Sequence, residues 1–237
     1  MIALRRRDGR PLRIGHRGAR ALAPENTLEA FRAAIETGVD LVEFDVIAGS
    51  DGALLVAHGL EDVGPQTPTL DDALRFFVDE APTIGVHLDL KLTKRERDVV
   101  DAVRRYGLAE RTFVSSYYFG TARAVAAHDV DVRVGFTVPR RVFRISDTGR
   151  GAPLGRIGLR VLRRVTPFVT RPLLAVTHTS AFVLHHSLVT EASVRAVHRR
   201  GAAVVTWTVD DPVELVRVDR AGVDAIVTND PRLFLPR

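Results

Sequence analysis

The 237-residue chain has no cysteine, one tryptophan and three tyrosines. Without cysteine there is no disulfide framework, no thiolate nucleophile and no sulfur-rich metal site, and the redox compartment is left open. No apolar run approaches the roughly 18 residues of a membrane span. The start, MIALRRRDGRPLRIG, is basic but has no apolar stretch before the first strand. That argues against a secretory signal and makes the cytoplasm the expected location. A glycine-rich phosphate loop is also missing, as is a nucleophile elbow around Ser115 or Ser116. Aromatic residues make up 6% of the chain, and the positive charge is local: Thr137–Pro172 holds nine arginines against one aspartate, while the whole chain carries only +5. The rest is slightly acidic, which gives little support to nucleic-acid binding.

What the chain does contain is centred on Leu41–His58, LVEFDVIAGSDGALLVAH. Leu41, Val42, Phe44 and Val46 favour a strand, and within it stand Glu43 and Asp45. Strand side chains alternate faces, so these two acids project the same way, roughly 6–7 Å apart at the backbone. Like charges so placed need a cation or a shared proton. Gly49–Gly52 reads as a turn and Ala53–Ala57 as a returning strand that brings His58 back toward the pair.

Periodicity along the rest of the chain alternates strands and helices. Strands are expected at Leu12–His16, Ile84–Leu90, Thr112–Ser115, Asp131–Phe136, Ala181–His185, Ala203–Val209 and Asp224–Thr228. Helices are expected from Thr27 to Thr37, after Thr69, from Lys94 to Tyr106, over Thr121–His128 and Thr190–Arg200, and from Pro212. Setting the hairpin aside, eight strands alternate with helices, which points to a parallel sheet. Eight units in this length suit one (β/α)8 TIM barrel over residues 1–237, with a small hairpin insertion after the second strand and its site at the carboxyl ends of the strands. An open doubly wound sheet is the alternative. His16 and Arg17 end the first strand, Glu43 and Asp45 lie in the second, and Asp89 and Lys91 share a face of the third with His87. His87 is expected to pack inside the barrel, His185 and His186 to be structural, His128 and His198 to lie on the surface, and Asn229 and Asp230 to cap the terminal turn.

The runs HRGARALAPENT (His16–Thr27), EFD (Glu43–Asp45) and DLK (Asp89–Lys91), with GAAVVTWTVDDP (Gly201–Pro212) and GVDAIVTNDP (Gly222–Pro231), resemble the glycerophosphodiester phosphodiesterases. The resemblance covers nearly the whole chain and implies a (β/α)8 barrel. It implies that Glu43, Asp45 and Asp89 hold a divalent metal ion, Mg2+ or Ca2+, whose hard character suits oxygen ligands. It further implies that His16 and His58 act as an acid–base pair, that Arg17 and Lys91 face the phosphate, and that Trp207, with Glu25, shapes the wall. The implied reaction is cleavage of a small glycerophosphodiester to sn-glycerol 3-phosphate and an alcohol, a glycerol hydroxyl attacking phosphorus and water opening the cyclic product. Two positions depart from the family pattern: Gly59 stands where aspartate is usual, and Asp89 where glutamate is usual. The chain after His58 is short, which predicts an open mouth. Two other readings are a lysophospholipase D-like enzyme at a membrane and a non-catalytic barrel that binds phospholipids or polyol phosphates.

The basic segment allows a helix over 154–165 with Leu154, Ile157, Val161 and Val165 on one face and Arg156, Arg160, Arg163 and Arg164 off it. Such a helix either covers the barrel with a solvated basic face or makes peripheral contact with an anionic membrane.

Overall fold

The computed structural model describes residues 2–129, 131–138 and 153–235, with side chains in the last segment described from 158 onward. Strands β1 (Leu12–Gly15), β2 (Leu41–Ala48), β4 (Gly85–Leu90), β5 (Thr112–Ser116), β6 (Arg133–Val138), β7 (Ala181–His185), β8 (Ala203–Trp207) and β9 (Ala225–Thr228) are all parallel to their neighbours. Pairing of Ile14 with Leu41 closes the sheet through β1 and β2. β3 (Leu54–Val56) runs antiparallel on the end of β2. This is the expected eight-stranded barrel with its hairpin.

Helices α1 (Leu28–Glu36), α2 (Leu70–Asp79), α3 (Glu96–Arg105), α4 (Phe119–His128), α5 (Pro153–Thr177), α6 (Glu191–His198) and α7 (Pro212–Arg220) surround it. Their starts follow local chemistry. The Thr27 hydroxyl accepts from the Ala30 amide, and Thr69 and Asp72 cap α2 reciprocally. Asp211 caps α7 ahead of Pro212, whose missing N–H is harmless in a first turn.

Alternation along the strands builds two cores. Val42, Phe44, Val46, Val86, Leu88 and Leu90 face outward to the helices. Leu12, Ile14, Leu41, Phe113, Val183, Val205 and Val227 fill the barrel interior. Gly135 is required in that interior, because a Cβ there would lie 2.7 Å from the Phe113 ring and 2.8 Å from Val183. The same inward rows become polar toward the carboxyl ends, where Glu43 and Asp45, His87 and Asp89, Ser115 and Thr137 continue the stripes of β2, β4, β5 and β6. The barrel is thus greased below and polar above, which is where a (β/α)8 fold places its chemistry.

Helix α5 differs from expectation. It has 25 residues, continues through Pro167 and Pro172, and reaches Thr177. Its inward face carries Thr166, Thr170, Leu174 and Thr177. The three threonine hydroxyls donate to carbonyls of their own helix, at Leu162, Pro167 and Leu173, so their burial leaves no hydroxyl unpaired. Val161 and Val165 face outward instead of toward the barrel. The side chains of Leu154, Arg156 and Ile157, and residues 139–152 of the basic segment, lie outside the described residues.

Candidate active site

The loop from His16 to Asn26 is folded back onto β2 by its own backbone. Gly18 has φ +82°, and a Cβ there would lie within 2.5–2.7 Å of Ala30 atoms, so both the turn and the approach of α1 exclude a side chain. Its neighbour Arg17 has φ +50°, and Asn26, at the other end of the loop, has φ +59°. Non-glycine residues hold this conformation only when the surroundings impose it. Here the Arg17 amide donates to Glu43 Oε2 at 2.7 Å, the Gly18 amide donates to the Glu43 carbonyl, and the Asn26 amide donates to the Arg17 carbonyl.

Glu43, Asp45 and Asp89 offer carboxylate oxygens that all lie within 4.8 Å of one another. Glu43 and Asp45 are 3% and 1% exposed. Burial, then the charges of Asp45 and Asp89, push the Glu43 carboxyl well above its usual range. Burial would raise Asp45 too, but Lys91, His58 and Arg17 outweigh it and hold Asp45 ionised. Lys91 Nζ stands 3.1 Å from Asp45 Oδ1 and is also paired with Asp89, and these acids keep it charged against its own desolvation. Three convergent hard oxygen donors with a surplus of negative charge fit a divalent cation such as Mg2+ or Ca2+. The shorter Asp89 still reaches the cluster, because Ser115 Oγ donates to its Oδ1 at 2.9 Å while Lys91 holds Oδ2.

The two histidines flank this cluster. His16 Nδ1 lies 2.6 Å from Asn229 Oδ1, and Asn229 Nδ2 donates to Asp210 Oδ2 at 2.5 Å. The carboxylate fixes the amide's orientation, so its oxygen must accept from His16. Nδ1 therefore carries the proton and Nε2 keeps a free lone pair. That Nε2 lies 3.9 Å from Glu43 Oε2. Burial, reinforced by Arg17, pulls the His16 pKa from 6.5 down to about 4, so the ring is neutral near pH 7.

The hairpin returns His58 as expected: its Nδ1 is 3.2 Å from Asp45 Oδ2 and 2.9 Å from Arg17 Nη2. One nitrogen cannot accept from the guanidinium and donate to the carboxylate at once, so the tautomer decides the partner: an Nδ1–H donates to Asp45, and a bare Nδ1 accepts from Arg17. Arg17 also pairs with Glu25 at 2.6 Å and lies 3.0 Å from Asp45. At Gly59 the Glu61 carboxylate occupies the space a side chain would fill.

A cavity of about 440 Å³ opens above these groups and includes His16, Arg17, Glu43, His58, Asp89, Lys91 and Trp207 in its wall. Seven of the nine residues singled out from the sequence thus face one space; Asp45 and Glu25 are outside its wall and pair with Arg17. Trp207 Nε1 and Thr137 Oγ1 are buried in the opposite wall with no hydrogen-bond partner among the described residues.

The remaining candidates serve as supports. His87 is buried, with Nε2 2.9 Å from Ser115 Oγ. Since Ser115 gives its proton to Asp89, His87 Nε2 donates to the serine, and Nδ1 has no partner among the described residues. Burial lowers the His87 pKa to about 3. His185 packs edge-on against Trp207 with ring centres 5.3 Å apart, and His186 pairs with Glu214. His128 and His198 end their helices half-buried, paired with Asp101 and Asp224.

Four contributors escaped sequence reasoning. Asn26 Nδ2 donates to Asp45 Oδ2 at 3.1 Å while its Oδ1 accepts from the Asp45 amide, so one side chain clamps that acid twice. Asn229 and Asp210 orient His16, and Ser115 positions Asp89. Asn26 and Asn229 stand within the quoted motifs, but local sequence offers them only as a helix start and a cap.

The family model of the glycerophosphoryl diester phosphodiesterase family matches residues 16–74 and 66–233. Glycerophosphodiester phosphodiesterase GDPD4 of Arabidopsis thaliana is 28% identical over 94% of this chain and 72% of its own length. A glycerophosphodiester phosphodiesterase of Caldanaerobacter subterraneus subsp. tengcongensis is 24% identical over 94% of this chain and 95% of its own. Among solved structures, a glycerophosphodiester phosphodiesterase from Parabacteroides distasonis superposes with a TM-score of 0.72 at 20% identity, covering 94% of each chain. An Oleispira antarctica phosphodiesterase in complex with the product sn-glycerol-3-phosphate gives 0.69 at 19% identity, covering 94% of each. At these identities the superpositions speak for the fold, while the family model spans almost every residue from His16 to Leu233. The chain belongs to the glycerophosphoryl diester phosphodiesterase family.

Proposed function

We propose that this protein is a metal-dependent phosphodiesterase that cleaves glycerophosphodiesters to sn-glycerol 3-phosphate and an alcohol by histidine acid–base catalysis. The observation that carries the proposal is the convergence of three carboxylates, two cations and two histidines on one cavity in a chain of this family. Glu43, Asp45 and Asp89 would hold the ion, whose positive charge would polarise the phosphodiester and offset the charge that builds on it. Arg17 and Lys91 supply fixed positive charge beside it, set in place by Glu25, Asp45 and Asp89, so little reorganisation is needed as the phosphorane forms.

His16 fits the base. Its Nε2 is unprotonated, faces the cavity and is held in that tautomer by Asn229. It takes the proton of a glycerol hydroxyl as that oxygen bonds to phosphorus. His58 fits the acid: with its Nδ1–H donated to Asp45 Oδ2, its Nε2–H is left for the departing alkoxide. Water then opens the cyclic phosphate with the two roles exchanged. Trp207 Nε1 and Thr137 Oγ1 offer unused hydrogen bonds to substrate hydroxyls on the far wall.

The test is release of sn-glycerol 3-phosphate from glycerophosphocholine and glycerophosphoethanolamine by metal-stripped protein before and after adding Mg2+ or Ca2+. Metal-dependent release that His16→Ala and His58→Ala both lose supports the proposal; release that survives both substitutions contradicts it. The second reading, lysophospholipase D-like cleavage of lysophospholipids at a membrane surface, is favoured by the apolar outer face of α5. Turnover of lysophospholipids but not of glycerophosphodiesters would select it.

A further inference from the structure

Helix α5 is amphipathic in the reverse sense to the other helices. Val161, Leu162, Val165, Phe168, Val169 and Val176 are exposed, Phe168 to 80%. At 100° per residue they fall in one continuous stripe, which extends about 22 Å along the helix axis. Arg160, Arg164 and Arg171, all exposed, line one edge of that stripe. No aspartate or glutamate occurs between Asp147 and Glu191. The inward face needs none of these apolar groups, since threonines and Leu174 already fill the contact with the barrel.

A stripe of this kind exposed to water is unfavourable, and monomeric proteins rarely keep one without a partner. We infer that the outer face of α5, residues 160–176, is a docking surface for an anionic lipid bilayer. The apolar side chains enter the boundary between headgroups and acyl chains, and the arginines reach lipid phosphates along one edge. A row of cations beside an apolar stripe, without a carboxylate on the helix, is complementary to a surface that is itself negative and apolar beneath. A second copy of this chain would bring no carboxylate on this helix to meet those arginines. None of the described helices is long and apolar enough to cross a membrane, so the contact is interfacial.

The docking face is continuous with the mouth of the barrel. Arg163 Nε of α5 donates at 2.6 Å to the carbonyl of Ser187, just beyond the end of β7. Docking would therefore hold the rim of the cavity beside the lipid headgroups. The inference goes beyond the proposed reaction and does not depend on turnover.

Sedimentation with vesicles tests it. The parent should pellet with vesicles containing phosphatidylglycerol and remain in solution with pure phosphatidylcholine. Arg160→Glu, Arg164→Glu and Arg171→Glu combined should weaken partitioning by about a hundredfold or more, since each arginine near an anionic surface contributes about a factor of five to ten. Val165→Glu with Phe168→Glu should abolish it, both positions being outside the core. As a measurement that does not depend on a disruptive change, Phe168→Trp should show a blue-shifted emission on adding the anionic vesicles. A parent that stays in solution, variants that bind as well as the parent, or a tryptophan at 168 whose emission does not move would overturn the inference. So would a concentration-dependent dimer that Phe168→Glu dissociates, which would assign the face to a second copy.

Discussion

Residue by residue, the site is governed by which group holds which proton. Asp210 orients Asn229, Asn229 orients His16, and the free lone pair of His16 is the outcome. His16→Ala should lower kcat by about 10²–10⁴, the usual worth of a positioned acid or base. Asn229→Ala, which removes the contact that orients His16 along with the bond to Asp210, should cost about 10–100-fold. Steady-state kinetics on variants with unchanged melting curves checks both, and a fully active His16→Ala protein would remove His16 from the chemistry. Because burial and Arg17 hold the His16 pKa near 4, its base form is present above that pH. The acid limb of kcat/KM in metal-saturated protein should therefore lie below the 6.5 of an unperturbed histidine. Glu43 behaves in the opposite way. Burial and the two neighbouring acids raise its pKa, so it binds a proton more readily than a free carboxylate and must give it up to ligate an ion. Calorimetric titration with Mg2+ or Ca2+ in buffers of different ionisation enthalpy should show proton release, and Glu43→Gln should abolish both the binding and the release.

At the scale of the elements, the loop His16–Asn26 is the part on which the site depends most. Gly18→Ala meets Ala30 in a left-handed conformation, and relief of that clash must move Arg17 and its amide off Glu43. It should destabilise the fold by at least about 1 kcal/mol and weaken metal binding at the same time. Thr69→Ala at the start of α2, a residue that does not line the cavity, should cost about 1 kcal/mol with activity unchanged. Thermal melts paired with activity assays separate the two cases. These elements differ in how far the sequence revealed them. Strand positions, caps at Thr27 and Thr69, and the hairpin at Gly49–Gly52 follow from local chemistry and were legible. The face α5 turns inward was not, because periodicity shows that a helix is amphipathic but not which side packs. There the threonines satisfy their own hydroxyls and can take the inner face. Asn26 was hidden for a related reason: its clamp on Asp45 spans 19 positions and depends on a backbone turn that only the folded chain imposes.

For the whole molecule, the barrel concentrates polar groups at one end and keeps several histidines neutral within it. His87 and His185 are depressed from 6.5 to about 3 and about 4, chiefly by burial. Their folded pKa values lie below the unfolded ones, so the unfolded chain takes up protons that the native one refuses. Stability is therefore complete above about pH 6.5 and declines as the pH falls toward 4 and 3. Denaturant titrations near pH 7 and near pH 4.5 should show the decline. His185→Asn, which keeps an acceptor for the Ser187 amide but cannot be protonated, should reduce it. The proposed reaction depends most on one cluster, the three acids flanked by His16 and His58. The measurement that tests it most directly is sn-glycerol 3-phosphate release from glycerophosphocholine by metal-stripped protein, with and without restored Mg2+ or Ca2+, beside Glu43→Gln and His16→Ala. The parent should release product only when an ion is restored, Glu43→Gln none, and His16→Ala at least about a hundredfold less than the parent. Equal release without metal, or by folded Glu43→Gln protein, would contradict it.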